Sequence, residues 1–494
     1  MNSKVAIHRL PTGVSGLDEI LGGGLPEFSF NLIAGPPGSG KTTLAHQMMF
    51  ALASEKRPAV FFTVLGEPPL KMLRYQQQFD FFDNAALNRS IRFVNLSEET
   101  LSGGLQPVLD RIVGEVKQSH PALVFVDSFR SLILGSNSHG APTNTLQFVQ
   151  QLGMLMTSWE ATTFLIGEYF NEAEANPVFT VADGLIWLRQ SVQRNSMVRK
   201  LEIMKMRGQA TIPGLHTFRI TNAGINVFAP APGNQTKVDV PVTRTRLSLG
   251  IPRLDDMLGG GLPNGYSLLV AGPSGSGKSI LAAAFLAEGV RCGESGVIAV
   301  FEQHQRRSRS DAFDQLIKGG RIGVVENHAT DLSIDEILSL VMNEIRRLGA
   351  TRVVIDSLSG FELSVAPTFR DDFRESLARM VAALSSTGVT ALMTCELEDR
   401  YSDLRFSPYS SAFMTDAIIV QRYIEVESQL RRLLAVVKVR GSAHSHELRE
   451  FVIDDAGIEI GEMLPDQEGL LGGRPTRKRA ADSVIDREIG PDSV

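Results

Sequence analysis

The stretch AGPPGSGKTT, residues 34–43, returns as AGPSGSGKSI at residues 271–280 of the same 494-residue chain. Both fit G-x-x-x-x-G-K-[ST], in which glycines let backbone N–H groups turn toward a phosphate while the next helix aims its positive end at the same anion. An apolar run precedes each copy (FSFNLIAG, YSLLVAG) and a helical pattern follows (TTLAHQMMFALAS, SILAAAFLAEGV), which predicts strand, loop and helix. A glycine-rich turn opening an ordinary helix would explain one such string. Two, each in this setting, point to two ATP sites. The predicted phosphate-binding residues are Gly35, Pro36, Pro37, Gly38, Ser39, Gly40, Lys41, Thr42 and Thr43, and Gly272, Pro273, Ser274, Gly275, Ser276, Gly277, Lys278, Ser279 and Ile280. Lys41 and Lys278 are expected to reach the β/γ-phosphates.

The repetition extends beyond the loop. TGVSGLDEILGGGLPE from Thr12 reappears as LGIPRLDDMLGGGLPN from Leu249, so Gly13 matches Gly250, Asp18 matches Asp255 and Pro26 matches Pro263 at the offset that pairs Gly35 with Gly272. PALVFVDS and TRVVIDS are short apolar strands ending in Asp127 and Asp356, and helical patterns such as LQPVLDRIVGEVKQSH precede them. Strands alternating with helices through both halves predict an α/β fold: two tandem domains, each a mostly parallel sheet with helices on both faces. The first domain is expected over 1–232 and the second over 233–464. The Pro/Gly-rich stretch Ala229–Val242 marks the boundary, and 465–494 forms a polar, flexible tail or partner-binding arm. Thr42 and Ser279, with Asp127 and Asp356, are the predicted Mg²⁺ ligands.

Two further pairs carry chemistry. Glu67 follows the strand VFFT and Glu302 follows GVIAVF, each placed to orient or deprotonate an attacking water; a solvated glutamate at a strand end is the plain alternative. KLEIMKMRGQ holds Lys205 and Arg207 and LLAVVKVRGSAH holds Lys438 and Arg440, two cations on one strand face in each half. A phosphate bound on an adjacent subunit would suit them, since a cation supplied in trans neutralises charge developing in phosphoryl transfer. Charges protecting a sheet edge are the simpler explanation.

Composition narrows the rest. With 43% apolar residues the chain can bury real cores, and a net charge of −6 argues against broad nucleic-acid adhesion. Cys292 and Cys395 lack C-x-x-C spacing, which fits a reducing cytoplasm. No run approaches the ~18 apolar residues a membrane span needs.

Taken together these strings resemble the KaiC family, the tandem RecA-like ATPases of the circadian clock. The similarity covers roughly residues 5–460: GLDEILGGGLP, both phosphate loops, the VDS and IDS strands, KMRG, KVRGSAH and TDAIIVQRYIE. It implies two stacked rings of six subunits with ATP and Mg²⁺ at subunit interfaces, the Lys-x-Arg strand reaching the neighbour's nucleotide. It also implies ATP hydrolysis in the first ring, serine/threonine autokinase and autophosphatase activity in the second, and a role as a timing or signalling switch with protein partners. Two positions depart from the family. Its consecutive glutamates are matched here by Gly66–Glu67 and Glu302–Gln303, and its phosphorylated Ser-Thr pair by Ala412 and Phe413, with Ser410 and Ser411 just upstream. A non-hydrolysing ATP-gated scaffold and a DNA-dependent RecA-type motor are the alternatives. Against the motor stand the acidic balance and the absence of a recognisable accessory DNA-binding segment, the basic run RPTRKR at 474–479 being explained by a solvated tail.

Overall fold

The computed structural model describes residues 7–64, 69–101, 105–136, 143–170, 176–193, 196–230, 245–301, 311–326, 332–365, 373–397, 414–426, 428–455, 457–463, 467–468 and 476–477. The chain divides into two compact units, Met1–Pro230 and Ala231–Val494. Of the tail, Gln467–Glu468 pairs antiparallel with Thr476–Arg477, and the remainder lies outside the described residues.

The strands of the first sheet are β1 Phe30–Gly35, β2 Ala59–Thr63, β3 Ile91–Asn95, β4 Leu123–Asp127, β5 Thr162–Glu168, β6 Gly184–Gln193, β7 Ser196–Met206, β8 His216–Thr221 and β9 Gly224–Val227. Their order across the sheet is β9-β8-β7-β6-β1-β5-β4-β2-β3. In the second unit the strands are β10 Ser267–Gly272, β11 Gly296–Val300, β12 Ile322–Glu326, β13 Arg352–Asp356, β14 Thr390–Glu396, β15 Ala417–Val426, β16 Gln429–Val439, β17 Leu448–Asp454 and β18 Gly457–Met463. They repeat the same order, β18-β17-β16-β15-β10-β14-β13-β11-β12. From β6 to β3, and from β15 to β12, neighbours run parallel. The expected α/β architecture is present in both halves.

Alternation along the strands places helices on both faces. Leu32, Ala34, Val60, Phe62, Val124 and Val126 point to one side, where they meet Val108 and Ile112 of helix Gln106–Ser119 and Phe148 and Leu152 of helix Thr143–Ser158. Ile33, Phe61, Leu123 and Phe125 point to the other, against Leu44, Met48, Met49 and Leu52 of helix α1, Lys41–Leu52. In the second unit Leu269 and Ala271 face helices Ile334–Leu348 and Phe373–Ser386, while Leu268 and Val270 face α2, Lys278–Arg291. Each fully buried Leu or Phe contributes ~1.5–3 kcal/mol, so these two-sided cores are what hold the strand ends in place.

The prediction of alternation through each whole half is corrected at its end. After β6 and after β15 the chain runs on as an antiparallel meander, with no described helix between the strands. The repeated GLDEILGGGLP string has a structural use. Asp18 accepts the Thr12 N–H at 2.8 Å and Asp255 accepts the Leu249 N–H at 2.8 Å, which closes the same turn in both units.

Candidate functional site

In the first unit four neighbouring parallel strands end side by side. The register pairs Gly35 with Glu168, Asp127 with Ile166, and Thr63 with Asp127, so β1, β5, β4 and β2 deliver Gly35, Glu168, Asp127 and Thr63 to one edge. This carboxyl edge is where open α/β sheets bind ligands. The chain leaves β1 and enters α1 through Gly38 and Gly40, at φ 73° and 102°, a region costly to residues with a Cβ. A Cβ on Gly40 would also lie 2.9 Å from the Ile220 side chain. No side chain caps the first turn of α1, which leaves its N–H groups for an anion.

Lys41 Nζ donates to Pro36 O at 2.8 Å, and Thr42 Oγ1 donates to Asp127 Oδ2 at 2.8 Å. Around them opens a cavity of about 370 Å³ lined in part by Gly38, Lys41, Thr42, Thr63, Asp127, Ser128 and Glu168. That size suits a small-molecule ligand. Burial lowers the Lys41 pKa, with Glu168 and Asp127 opposing the shift. Burial pushes the Asp127 carboxyl up to about 6; the Thr42 hydrogen bond and Lys41 pull it down, and Glu168 adds to the rise. Thr63 Oγ1 is buried with no hydrogen-bond partner in the protein, a group suited to a polar ligand. Among the described residues no three His, Cys, Asp or Glu side chains gather as a metal cage. One hydroxyl beside one carboxylate instead fits Mg²⁺, which keeps several waters and takes phosphate oxygens.

The second unit repeats the loop. Gly275 and Gly277 have φ 74° and 102°, no side chain caps α2, and Lys278 Nζ donates to Gly272 O at 2.9 Å and Pro273 O at 2.7 Å. The aspartates differ. Asp356 is buried and accepts a hydrogen bond from the hydroxyl of Thr394 on β14, where β5 has Ile166. Asp127 is thus tied to its loop threonine and Asp356 to its sheet.

The paired cations gather at a different place. Lys205 Nζ donates to Thr180 O at 3.0 Å, and Arg207 pairs with Asp183 at 3.0 Å. Lys438 Nζ donates to Thr415 O at 2.6 Å, and Arg440 pairs with Asp416 at 3.2 Å. Asp183 and Asp416 also accept the N–H groups of Phe30 and Ser267, each 3.0 Å away, at the start of the phosphate-loop strands. A contact within the chain therefore accounts for part of the recurrence. The Arg207 and Arg440 side chains nevertheless remain 59% and 58% exposed. Arg207 lies just past β7, and a register shift at Met204 sends Ile203 and Met206 to the same core while Lys205 faces outward.

Glu67, Glu302, Gly66, Gln303 and residues 401–413, with Ser410, Ser411, Ala412 and Phe413, lie outside the described residues. The strand ends before the glutamates still fix a count. Thr63 pairs with Asp127 as Val300 pairs with Asp356. Two residues past Val300 stands Glu302; two past Thr63 stands Leu65, with Gly66 opposite Gln303. The match of Gly66–Glu67 to Glu302–Gln303 is therefore out by one residue, and Glu67 is displaced by two. Sequence reasoning missed Glu168 and Glu396. Each ends the strand beside the phosphate-loop strand, in TTFLIGE and TALMTCE, in register with Gly35 and Gly272. The second unit is shorter before this strand, so the constant offset does not align the two.

Comparison with known proteins agrees with this geometry. Circadian clock oscillator protein KaiC of Picosynechococcus sp. is 26% identical over 95% of this chain and 93% of its own length. KaiC of Synechococcus elongatus is 26% identical over 96% and 92%, and KaiC 1 of Synechocystis sp. is 25% identical over 95% and 92%. No described helix is long and apolar enough to cross a membrane. The family described as "ATPase: KaiC" matches residues 10–231 and again 247–464. With one match over each nine-stranded unit and a glycine loop at the carboxyl edge of each sheet, the chain belongs to the KaiC ATPase family.

Proposed function

We propose that the chain is an ATP-hydrolysing signalling switch with one nucleotide site per unit, completed by neighbouring copies in a homo-oligomeric, hexameric double ring. The observation that carries it is the Thr42–Asp127 hydrogen bond of 2.8 Å beneath an uncapped helix start, in a cavity that also holds Lys41. The loop N–H groups and Lys41 or Lys278 bind the phosphates; Thr42 with Asp127, and Ser279 with Asp356, hold Mg²⁺. The metal supplies charge neutralisation at the β/γ-phosphate oxygens. Lys205 and Arg207, and Lys438 and Arg440, face the nucleotide of the next subunit, and the exposure of the two arginine side chains supports that role. In the second unit Glu302 orients the attacking water. Autokinase activity there would need Ser410 or Ser411, because Ala412 and Phe413 carry no hydroxyl. The relatives' clock function, and protein partners in a cytoplasmic signalling role, extend this proposal by analogy with the names they bear.

The ATP-gated scaffold is the second reading, favoured at the first unit by Leu65 and Gly66 standing where a glutamate pair would. Turnover of ATP–Mg²⁺ by the purified chain, with and without single-stranded DNA, separates these readings. The proposal predicts DNA-independent hydrolysis; in a chain whose first site is silenced by Lys41→Ala, Glu302→Gln should remove most of the remaining rate, since a general base is worth ~10²–10⁴-fold. Binding without turnover supports the scaffold, and turnover that requires DNA supports the motor.

A further inference from the structure

Two residues past the strand end the first unit has Leu65 where the second has Glu302, yet the first unit's cavity is lined by a glutamate of its own, Glu168. Glu168 closes β5, directly beside Gly35 of the phosphate-loop strand. It lines the same cavity as Lys41, Thr42, Thr63 and Asp127, and it is near enough to Lys41 and Asp127 to influence the ionisation of both. Its backbone is held from two sides. Glu168 O accepts from Arg130 at 2.8 Å, and the next residue, Tyr169, is fully buried and donates its N–H to Gly35 O at 3.1 Å. A carboxylate on a clamped strand end holds its position better than one on a loop. The Glu168 side chain is exposed, so it is available to a ligand in the cavity and spends nothing on the core. Across from it, Thr63 offers a buried hydroxyl without a protein partner.

We propose that Glu168 is the general base of the first nucleotide site, with Thr63 helping to hold the attacking water. The inference rests on the ATPase reading above. Water oxygen forms a bond to the γ-phosphorus, and the bond from that phosphorus to the β,γ-bridging oxygen breaks with its electron pair leaving on ADP. The water proton passes to the Glu168 carboxylate, and inorganic phosphate departs. Two glutamates on different strands thus serve corresponding sites: Glu302 beyond β11 in the second unit, Glu168 at the end of β5 in the first.

The test uses the full-length chain carrying Lys278→Ala, which silences the second site and leaves turnover to the first. Adding Glu168→Gln should lower kcat about 100-fold or more while ATP affinity, measured by equilibrium binding, stays within about threefold. Glu168→Ala should lose the same activity and regain part of it with added formate, a response that a merely structural carboxylate would not give. The proposal is overturned if Glu168→Gln turns over at the parent rate, or if Glu67→Gln carries the loss instead. It is also overturned if the Lys278→Ala chain binds ATP but shows no turnover, a result that leaves the ATPase reading standing on the second unit. A wild-type chain that binds no ATP removes the ATPase reading itself, and this proposal with it.

Discussion

At the scale of single residues the site shows chemistry working against stability. Asp127 is partly buried beside Thr42, and desolvation pushes its carboxyl up to about 6 from the ordinary 3.8. A folded-state pKa raised above the unfolded one means that the native protein binds the extra proton between these values. Stability of the nucleotide-free first unit is then highest below about pH 4 as far as this group is concerned, and it falls as pH rises through 6. The loss approaches 3 kcal/mol at most, at about 1.4 kcal/mol per pKa unit. Asp127→Asn should therefore stabilise the nucleotide-free first unit at pH 8 by about 1–3 kcal/mol and shrink the stabilisation that ATP–Mg²⁺ confers. Both tryptophans, Trp159 and Trp187, belong to this unit, so fluorescence-monitored urea unfolding reads it directly. An unchanged or lowered midpoint at pH 8 would contradict the account. The loops were legible in the sequence because a backbone that turns around a phosphate demands glycine at fixed places such as Gly40 and Gly277. Glu168 was not, because a glutamate at a strand end carries no local signature and becomes a site residue only when β5 is placed beside β1.

At the scale of elements the two units share a sheet order but not every contact that secures it. The buried Arg352 opens β13 with its Nε 2.6 Å from Glu294, donates to Ser248 O and Phe285 O at 2.8 Å each, and lies 4.7 Å from the centre of the Phe285 ring. One side chain thus joins the strand, the phosphate-loop helix α2 and the segment before it. The first unit has Leu123 at the start of β4, fully buried among apolar side chains. Glu294 is 22% exposed, so loss of Arg352 costs less than the ~3–5 kcal/mol of a fully buried pair, while Leu→Ala in a core costs ~2–5 kcal/mol. Arg352→Ala should lower the second unit's unfolding midpoint, seen by far-UV circular dichroism, and leave the tryptophan transition in place. Leu123→Ala should shift the tryptophan transition. Movement of tryptophan fluorescence in the arginine variant would show that the units do not unfold separately. The helical and parallel-strand parts of each half were legible from hydrophobic periodicity. The meander after β6 and β15 was not: strands such as SMVRKLEIMKM and LREFVID mix charged with apolar residues, and that pattern alone does not give the pairing direction. The register shift at Met204, and its twin between Ile418 and Ile419, escaped for a related reason: IMKM and VVKV look like simple alternation until their partners are known.

At the scale of the whole molecule the chain is one phosphate-loop architecture used twice, with local differences between the two copies. Both loops, both uncapped helix starts, both Lys-x-Arg strands and the strand-end glutamates Glu168 and Glu396 are retained, while the aspartate partners, Thr42 and Thr394, and the residues two past the next strand end, Leu65 and Glu302, differ. This duplication was evident from the constant offset of the repeats; the divergence needed the register of the sheets. The central claim is that each unit binds its own ATP. Isothermal titration of the full-length chain with a non-hydrolysable ATP analogue and Mg²⁺ measures it, using wild type, Lys41→Ala, Lys278→Ala and the double variant. The account predicts two sites per chain in the wild type, one in each single variant and none in the double. A double variant that keeps both sites at wild-type affinity, or a wild type with one site that a single lysine abolishes, would contradict it.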